Sequence, residues 1–326
     1  MNTAAAPEAV FDKENIGRLA NFKSQQPDQK RLLLKDIQQN DQSLQESSQI
    51  FKSNSPPTML QKLCQHLDPI IDNMTVQEKA ESQVDSEYMS RQKDINQKMR
   101  AILVDWLVDV NLKFRLKPQS LFMTISVIDR FLSLRDVSRA RLQLVGISAL
   151  MLVGKYEEIY PPVLRDYVAV CDNAYKKEEL LAMEEEILSV LDFQLNRTSS
   201  LVFLELFRQK ISMTDQNFAF CRYFLEIALM DLAHLQFKNS VLAAGAIYLS
   251  HKVFRKESWP KGFDLTTKVS ESSAKSCAKE LFAILSRVEN TKLGAIRTKF
   301  AHPDLFEVSK YRIEKVSSNS AASIAS

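Results

Sequence analysis

Apolar residues are sparse and aperiodic up to about residue 65, and from Met99 onward they recur with helical spacing. The segment Met99–Val110 has apolar side chains on two sides. At 3.6 residues per turn one side carries Met99, Ile102, Leu103, Trp106 and Val110, and the other carries Ala101, Val104 and Val108. A surface helix usually has one such face. This helix therefore either runs through the middle of a bundle or leaves its second face open for a partner.

The rest of the chain also has helical patterning, and its proline residues lie between helical segments. Pro118 and Pro161-Pro162 stand where first-turn prolines begin helices. Thr198 and Thr214 are candidate helix caps. Strand-like alternation bounded by turn glycines does not occur in the sequence. The pattern predicts an all-α fold.

The helical part contains an internal similarity. Ser148–Tyr156 (SALMLVGKY) resembles Gly245–Phe254 (GAIYLSHKVF), with Lys155 aligned to Lys252. Both segments are rich in small residues, which is typical of helices packed closely at the centre of a bundle. A long apolar segment precedes each of them. We therefore expect two tandem helical bundles.

Composition limits the class of protein further. Residues 1–66 are rich in Gln, Asn, Ser, Lys and Asp, and we expect this segment to be disordered because it has little apolar area to bury. The formal net charge is only +3, so we expect no nucleic acid partner. The longest nearly apolar run, Leu144–Gly154, is too short to span a bilayer, and we expect no membrane partner. The four cysteines are scattered, as in a protein of a reducing compartment.

Catalytic and cofactor motifs are absent from the sequence. Six glycines form neither a G-x-G-x-x-G nor a P-loop, and the four histidines form no H-E-x-x-H. The run Glu184-Glu185-Glu186 cannot form a two-carboxylate site because consecutive helical side chains point apart. We therefore expect no metal, no cofactor and no enzymatic activity.

Longer motifs in the same order along the chain carry a family resemblance. Tyr88–Val110 resembles the entry to the cyclin box of the cyclins and looks closest to the A-type. The resemblance continues through Ile128–Leu132, Leu142–Gly146, Lys155–Pro162, Met183-Glu184, Leu191–Phe193 and Ser258–Pro260. It implies a disordered regulatory segment at 1–66, an N-terminal cyclin box with a preceding helix at 67–197, a C-terminal cyclin box at 198–310 and a flexible tail at 311–326. Each box is expected to contain five helices.

The resemblance implies a regulatory subunit that forms a heterodimer with a cyclin-dependent kinase and activates it. By similarity, Lys155 and Glu184 are polar anchors to the kinase. The apolar seat for the kinase would comprise Leu152, Leu188, Phe193 and Leu195, with Tyr156 beside it in place of the usual phenylalanine. Ile71, in the helix ahead of the first box, would add a further kinase contact, although Met74 stands there where an aromatic residue is usual.

The resemblance also assigns the two-sided helix. One face would form a shallow groove for R-x-L motifs of substrates and inhibitors. The groove residues would be Met99, Ile102, Leu103, Trp106, Asp109 and Gln143. Asp109 replaces the family's usual glutamate and would attract the basic residue of the motif. Arg100 would form a buried ion pair with Asp129, which we assign to folding.

The N-terminal segment contains two degron-like motifs. Lys13-Glu14-Asn15 spells KEN, and Arg31 to Leu34 gives R-x-x-L. They resemble the degrons through which the anaphase-promoting complex recognises mitotic cyclins. We expect the protein in the nucleus and cytoplasm, controlling S phase or the G2–M transition. A B-type mitotic cyclin with the same mechanism, a cyclin-fold transcription factor and a scaffold without kinase binding stay open as alternatives.

Overall fold

A computed structural model describes residues 57–81, 83–211, 213–254 and 259–311. The chain divides into two compact units, 1–67 and 68–326. Of the first unit the structure describes only the start of helix α1 (Pro57–Ala80). This helix begins ten residues before the boundary at residue 67 that the sequence analysis set. The predicted degrons and the tail beyond residue 311 lie outside the described residues.

The first bundle has five α-helices. They are α2 (Gln97–Lys113), α3 (Pro118–Leu134), α4 (Leu142–Glu157), α5 (Leu164–Val170) and α6 (Lys177–Val190). Asn96 caps α2, because its side chain accepts a hydrogen bond from the Met99 backbone N at 3.1 Å. Pro118 occupies the first turn of α3, as predicted. The central helix α4 packs against α2, α3, α5 and α6.

The second bundle repeats this order of five helices, in which the third is central and the fourth is short. Its members are α7 (Ser200–Arg208), α8 (Asp215–Ala228), α9 (Asn239–Val253), α10 (Phe263–Thr267) and α11 (Glu271–Glu289). Thr214 caps α8 as predicted, whereas the cap of α7 is Ser199, one residue after Thr198. The similar segments fall in α4 and α9, so the duplication is structural.

Close packing at the centre of the second bundle explains one glycine. A Cβ atom on Gly245 of α9 would lie 2.7 Å from Cys277 Sγ and 3.3 Å from the Ala278 backbone N, both on α11. A final short helix, α12 (Ala295–Phe300), returns to pack against α2 of the first bundle. The described residues contain no strand. The prediction of two tandem all-α bundles is confirmed.

Candidate functional site

An ion pair marks the end of α4. Lys155 lies in the last turn of α4, where a cation is favourable beside the free carbonyl groups of the helix. Its ammonium group pairs with the carboxylate of Glu184, which lies on α6. The Lys155 side chain is 45% exposed and that of Glu184 is 12% exposed. The structure therefore brings the two predicted polar anchors together at the surface.

Two exposed aromatic rings lie close to this pair in the sequence. Tyr156 follows Lys155 and is 53% exposed, while Phe193 lies just beyond α6 and is 72% exposed. Leu188 is half-buried, and Leu152 and Leu195 are buried. The predicted apolar seat is thus divided between two rings exposed to solvent, Tyr156 and Phe193, and two buried leucines, Leu152 and Leu195.

The exposure of Phe193 follows from how α6 ends. Asp192 and Phe193 both have left-handed backbone conformations, with φ of 51° and 55°. The Phe193 backbone N donates to the Leu188 carbonyl oxygen at 2.9 Å, which closes the helix end. A left-handed non-glycine residue costs about 1–2 kcal/mol. Because strained backbone is concentrated at functional sites, the strained turn that exposes the Phe193 ring to water suggests that this ring has a function.

Further apolar side chains are exposed beside this region, and sequence reasoning missed them. Ile159, Tyr160 and Val163 follow α4 and are 79%, 92% and 51% exposed. Leu181, on α6, is 45% exposed. The available signal was the placement of Ile159, Tyr160 and Val163 around a proline pair, where no helix can bury them. We call this set, together with Lys155, Tyr156, Glu184, Leu188 and Phe193, the α4–α6 surface.

Ile71 does not belong to an exposed surface. It is fully buried in α1, whereas its neighbour Ile70 is 45% exposed and Val76 is 62% exposed. Contact of Ile71 with a partner stays a prediction, and in this conformation its side chain is turned into the molecule. The periodicity of so short an apolar pattern did not decide which isoleucine faces outward.

Most of the apolar residues predicted to line a groove on α2 are buried. Met99, Leu103 and Trp106 are buried, with 7%, 2% and 4% of their surfaces exposed. The helix packs against α3, α4 and α12, so it runs through the interior of the molecule. Ile102, Asp109 and Gln143 are half-exposed and form what remains at the surface. The apolar face that was expected to be open is therefore largely buried, and its role in docking R-x-L motifs stays a prediction.

Arg100, on the same helix, forms an interior ion pair with Asp129. Nε and Nη2 donate to the two Asp129 carboxylate oxygens at 2.6 and 2.7 Å, and both side chains are buried. The Tyr88 hydroxyl donates to Asp129 Oδ1 at 2.8 Å, and burial raises the Tyr88 pKa. Nη1 of Arg100 donates to the Leu229 carbonyl oxygen of the second bundle at 2.8 Å. The pair therefore joins the two bundles.

Other chemistry in the described part of the chain is limited. No group of His, Cys, Asp or Glu among those residues could hold a metal ion. None of their helices is long and apolar enough to cross a membrane. Burial raises the pKa of the Cys171, Cys221 and Cys277 thiols to about 12, so these thiols are poor nucleophiles at neutral pH.

Comparison with protein families identifies the two bundles. Residues 69–196 match the family described as "Cyclin, N-terminal domain", and residues 198–314 match "Cyclin, C-terminal domain". A viral cyclin from herpesvirus saimiri has the same fold, with a TM-score of 0.59 at 15% identity, covering 67% of this chain and 96% of that chain. The chain belongs to the cyclin family.

Curated relatives refine the subtype. The G2/mitotic-specific cyclin S13-7 of Glycine max is 38% identical over 239 residues, covering 73% of this chain and 93% of the relative. Cyclin-B1-3 of Arabidopsis thaliana is 43% identical over 216 residues, covering 66% of this chain and 52% of the relative. The chain thus spans about half the length of Cyclin-B1-3.

These relatives correct the A-type assignment. The A-type resemblance rested on a few short segments, whereas the identities to G2/mitotic-specific and B-type cyclins extend over most of both boxes. The B-type alternative therefore fits the chain better than the A-type reading.

Proposed function

We propose that this protein is a regulatory subunit of B-type, G2/mitotic character that binds and activates a cyclin-dependent Ser/Thr kinase through the α4–α6 surface. The observation that carries the proposal is the exposure of Tyr156, which follows Lys155, and of Phe193, just beyond α6, together with the Lys155–Glu184 pair at the surface of a cyclin box. An exposed apolar patch of this kind marks a protein–protein interface. The Lys155–Glu184 pair on the same surface offers charged groups that orient a partner.

The proposed mechanism is a shift of the kinase's conformational equilibrium. A kinase is active when the glutamate of its C-helix pairs with the ATP-binding lysine. A partner that binds the active arrangement more tightly than the inactive one raises the population of the active form. Burial of the Phe193 and Tyr156 rings supplies binding energy, and Lys155 and Glu184 exchange part of their mutual pairing for kinase groups.

Phe193→Gly tests the proposal without endangering the fold. Glycine is the residue best suited to the left-handed conformation at this position, so the variant removes the ring and relieves strain. We expect at least a tenfold loss of kinase affinity with the unfolding free energy unchanged or raised. Phe306→Gly is the matched control, because Phe306 is also exposed and left-handed but lies in the C-terminal part of the chain. Equal loss in both variants would contradict the proposal.

We further propose that R-x-L substrates and inhibitors dock at the surface rim of α2. Ile102, Asp109 and Gln143 support this proposal because they are half-exposed, and the buried Trp106 can serve only as floor. Substitution of Trp106 would disturb the core, so the informative variant is Ile102→Asp combined with Gln143→Ala. This double variant should weaken the binding of an R-x-L peptide and leave the phosphorylation of a short histone peptide unchanged. Equal activity on both substrates relative to the parent would refute docking at this rim.

We also propose that Lys13-Glu14-Asn15 and Arg31 to Leu34 mark the protein for the anaphase-promoting complex, and that it works in the nucleus and cytoplasm. The support is the sequence of these motifs ahead of a cyclin box. Replacing Lys13, Glu14 and Asn15 by alanine should lengthen the half-life of the protein in a mitotic extract, and additional replacement of Arg31 and Leu34 should lengthen it further. If the variant with all five residues replaced had an unchanged half-life, neither motif would be a degron.

A further inference from the structure

One of the eight tyrosines of the chain has its side chain almost wholly in solvent, namely Tyr160, which is 92% exposed. Five others are buried: Tyr88, Tyr167, Tyr175, Tyr223 and Tyr248. Tyr156 belongs to the last turn of α4, and the Tyr311 hydroxyl accepts a hydrogen bond from Gln216 Nε2 at 2.8 Å. The hydroxyl of Tyr160 is therefore the one that another protein reaches most easily.

The segment between α4 and α5 is irregular, so no helical turn surrounds Tyr160. Glu158 and Val163, near its two ends, have extended backbones, with φ, ψ of −97°, 140° and −82°, 155°. Pro161 and Pro162 lie between them, and a proline disfavours the helical conformation of the residue before it. A residue of such a segment can enter the cleft of another protein as an extended peptide does, whereas a helical residue carries its flanking turns with it.

Hydrogen bonds hold both ends of this segment. Oε1 of Glu158 accepts from the Lys117 backbone N at 2.7 Å and from Ser120 Oγ at 2.6 Å, at the start of α3. At the other end, Asp166 Oδ2 accepts from the Val163 backbone N at 3.3 Å. The segment is therefore a short loop tied to the first box on both sides, and it presents its exposed side chains at a defined place.

The residues just before Tyr160 are acidic. Glu157 and Glu158 stand three and two positions ahead of it. The nearby cations already have partners, because Lys155 forms its ion pair with α6 and Lys117 Nζ donates to the Glu157 carbonyl oxygen at 2.8 Å. The approach to Tyr160 thus favours an enzyme with a cationic substrate cleft.

We propose that Tyr160 is the acceptor of a phosphoryl group from a protein tyrosine kinase, and that phosphorylation prevents the α4–α6 surface from binding the cyclin-dependent kinase. The second part rests on the proposed function. In the transfer, the hydroxyl oxygen of Tyr160 forms a bond to the γ-phosphorus of ATP while the bond from that phosphorus to the bridging oxygen of the β-phosphate breaks. ADP leaves, and the hydroxyl proton passes to the catalytic aspartate of the tyrosine kinase.

A phosphate on Tyr160 would oppose binding at this surface for two physical reasons. It adds about −1.5 to −2 charges beside the exposed apolar side chains of Ile159 and Val163, so a partner that buries them would have to desolvate the phosphate. It also meets like charge from the two glutamates ahead of it. Arg165 offers little compensation, because it is exposed and its Nε already lies 3.8 Å from Asp166 Oδ1.

Mass spectrometry of the full chain tests the site after incubation with ATP and the catalytic domain of a non-receptor tyrosine kinase that is active on a Glu-Tyr copolymer. We expect one phosphate per chain, mapped to Tyr160, and at least tenfold less incorporation in Tyr160→Phe, whose ring stays in solvent. Tyr156→Phe is the matched control and should be phosphorylated as the parent is, since that exposed ring belongs to a helix. Phosphate on other residues with Tyr160 unmodified, or equal loss in both variants, would overturn the assignment.

Activation of an inactive cyclin-dependent kinase tests the effect, once the phosphorylated chain has been freed of tyrosine kinase and ATP. Phosphorylation should raise the concentration for half-maximal activation at least tenfold, and a tyrosine phosphatase should reverse the change. The same treatment should not shift that concentration for Tyr160→Phe relative to its own mock-treated sample. Unaltered activation by the fully phosphorylated chain would overturn the regulatory effect. A mock-treated chain that activates nothing would contradict the proposed function, whereas the mapped phosphate would still decide the acceptor.

Discussion

Arg100 is the largest fully buried side chain of the described residues, and its charge is matched locally. Both Asp129 oxygens accept from it, and its remaining amino group reaches the Leu229 carbonyl oxygen. A buried pair of this kind contributes little net stability when both partners are present. Its effect is on specificity, because any packing of α2 against α3 that separates the two charges is penalised.

Removing one partner should therefore lower the free energy of unfolding far more than removing both. We expect Arg100→Met to lower the unfolding free energy by about 3–5 kcal/mol, because it leaves the Asp129 charge buried and unpaired. The double variant Arg100→Met with Asp129→Leu should recover a large part of this loss. Chemical denaturation monitored by circular dichroism measures both. A double variant as unstable as the sum of the single variants would show that the charges are not coupled.

The buried His234 predicts a dependence of stability on pH. Burial, and then the charge of Arg100, lowers its pKa below the 6.5 of an ordinary histidine, while Nδ1 donates to the Asp231 carbonyl oxygen at 2.6 Å. As the pH falls below 6.5 the unfolded chain takes up a proton before the folded chain does. The contribution of His234 is thus complete above that pH and is lost below it, by at most about 1.4 kcal/mol per pH unit.

Urea unfolding measured between about pH 7.5 and about pH 5 checks this expectation. His234→Gln should reduce the slope of unfolding free energy against pH. The control His302→Gln, at an exposed side chain, should leave the slope as it is. A slope that His234→Gln does not change would place the acid sensitivity in other groups.

At the scale of the element, the central helices depend on small residues at particular contacts. Gly245→Ala should lower the unfolding free energy by about 1–2 kcal/mol, since overpacking costs typically ~1–3 kcal/mol and the helix propensity of alanine returns up to ~1 kcal/mol. Cys277→Ala added to Gly245→Ala should restore part of the loss, because Sγ is the nearest atom. Gly294→Ala is the control, with nothing within 4 Å of the added Cβ. Equal effects at both glycines in thermal unfolding would contradict the packing argument.

Much of the element scale could be predicted from sequence. The helices could be predicted from apolar periodicity, from the proline at the start of α3 and from the Thr214 cap of α8. The duplication could be predicted from the similarity of the α4 and α9 segments. What covers α2 could not be predicted. Its second apolar stripe is explained in part by α12, a six-residue helix almost two hundred positions later, too short for a periodic signal.

The candidate site was predictable to a similar extent. The resemblance names Lys155 and Glu184 in two separate motifs, and the structure places the two side chains in one ion pair. It could not give the exposure of individual side chains. The orientation of Ile71 depends on the rotation of α1 about its axis. The orientation of Phe193 depends on the left-handed backbone at Asp192 and Phe193, and no glycine stands there to predict that conformation.

At the scale of the whole molecule, the two boxes share polar contacts. Asp105 of α2 accepts from the Ala295 backbone N at 2.8 Å, and Gln97 Nε2 donates to Asp231 Oδ1 at 3.1 Å. Together with the hydrogen bond from Arg100 to the Leu229 carbonyl oxygen, they make three hydrogen bonds between the boxes, of which two are buried and the one from Gln97 is partly buried. Loss of either box would leave such groups unsatisfied in the other, so we expect the boxes to unfold together.

The two tryptophans of the chain allow this expectation to be measured, because Trp106 lies in the first box and Trp259 in the second. Trp106→Phe and Trp259→Phe each leave one fluorescent reporter. Within each variant the urea midpoint from tryptophan fluorescence should coincide with that from circular dichroism, as two-state unfolding requires. Separate midpoints would mean that the boxes are independent domains.

The central claim is that this chain activates a cyclin-dependent kinase through its first box. The most direct measurement is the histone-peptide phosphorylation rate of a purified, inactive cyclin-dependent kinase as increasing amounts of the full chain are added. We expect a saturable rise in rate by orders of magnitude, which Lys155→Ala combined with Glu184→Ala abolishes and the exposed-surface control Arg135→Gln retains. A kinase that stays inactive at saturating concentrations of correctly folded protein would contradict the claim.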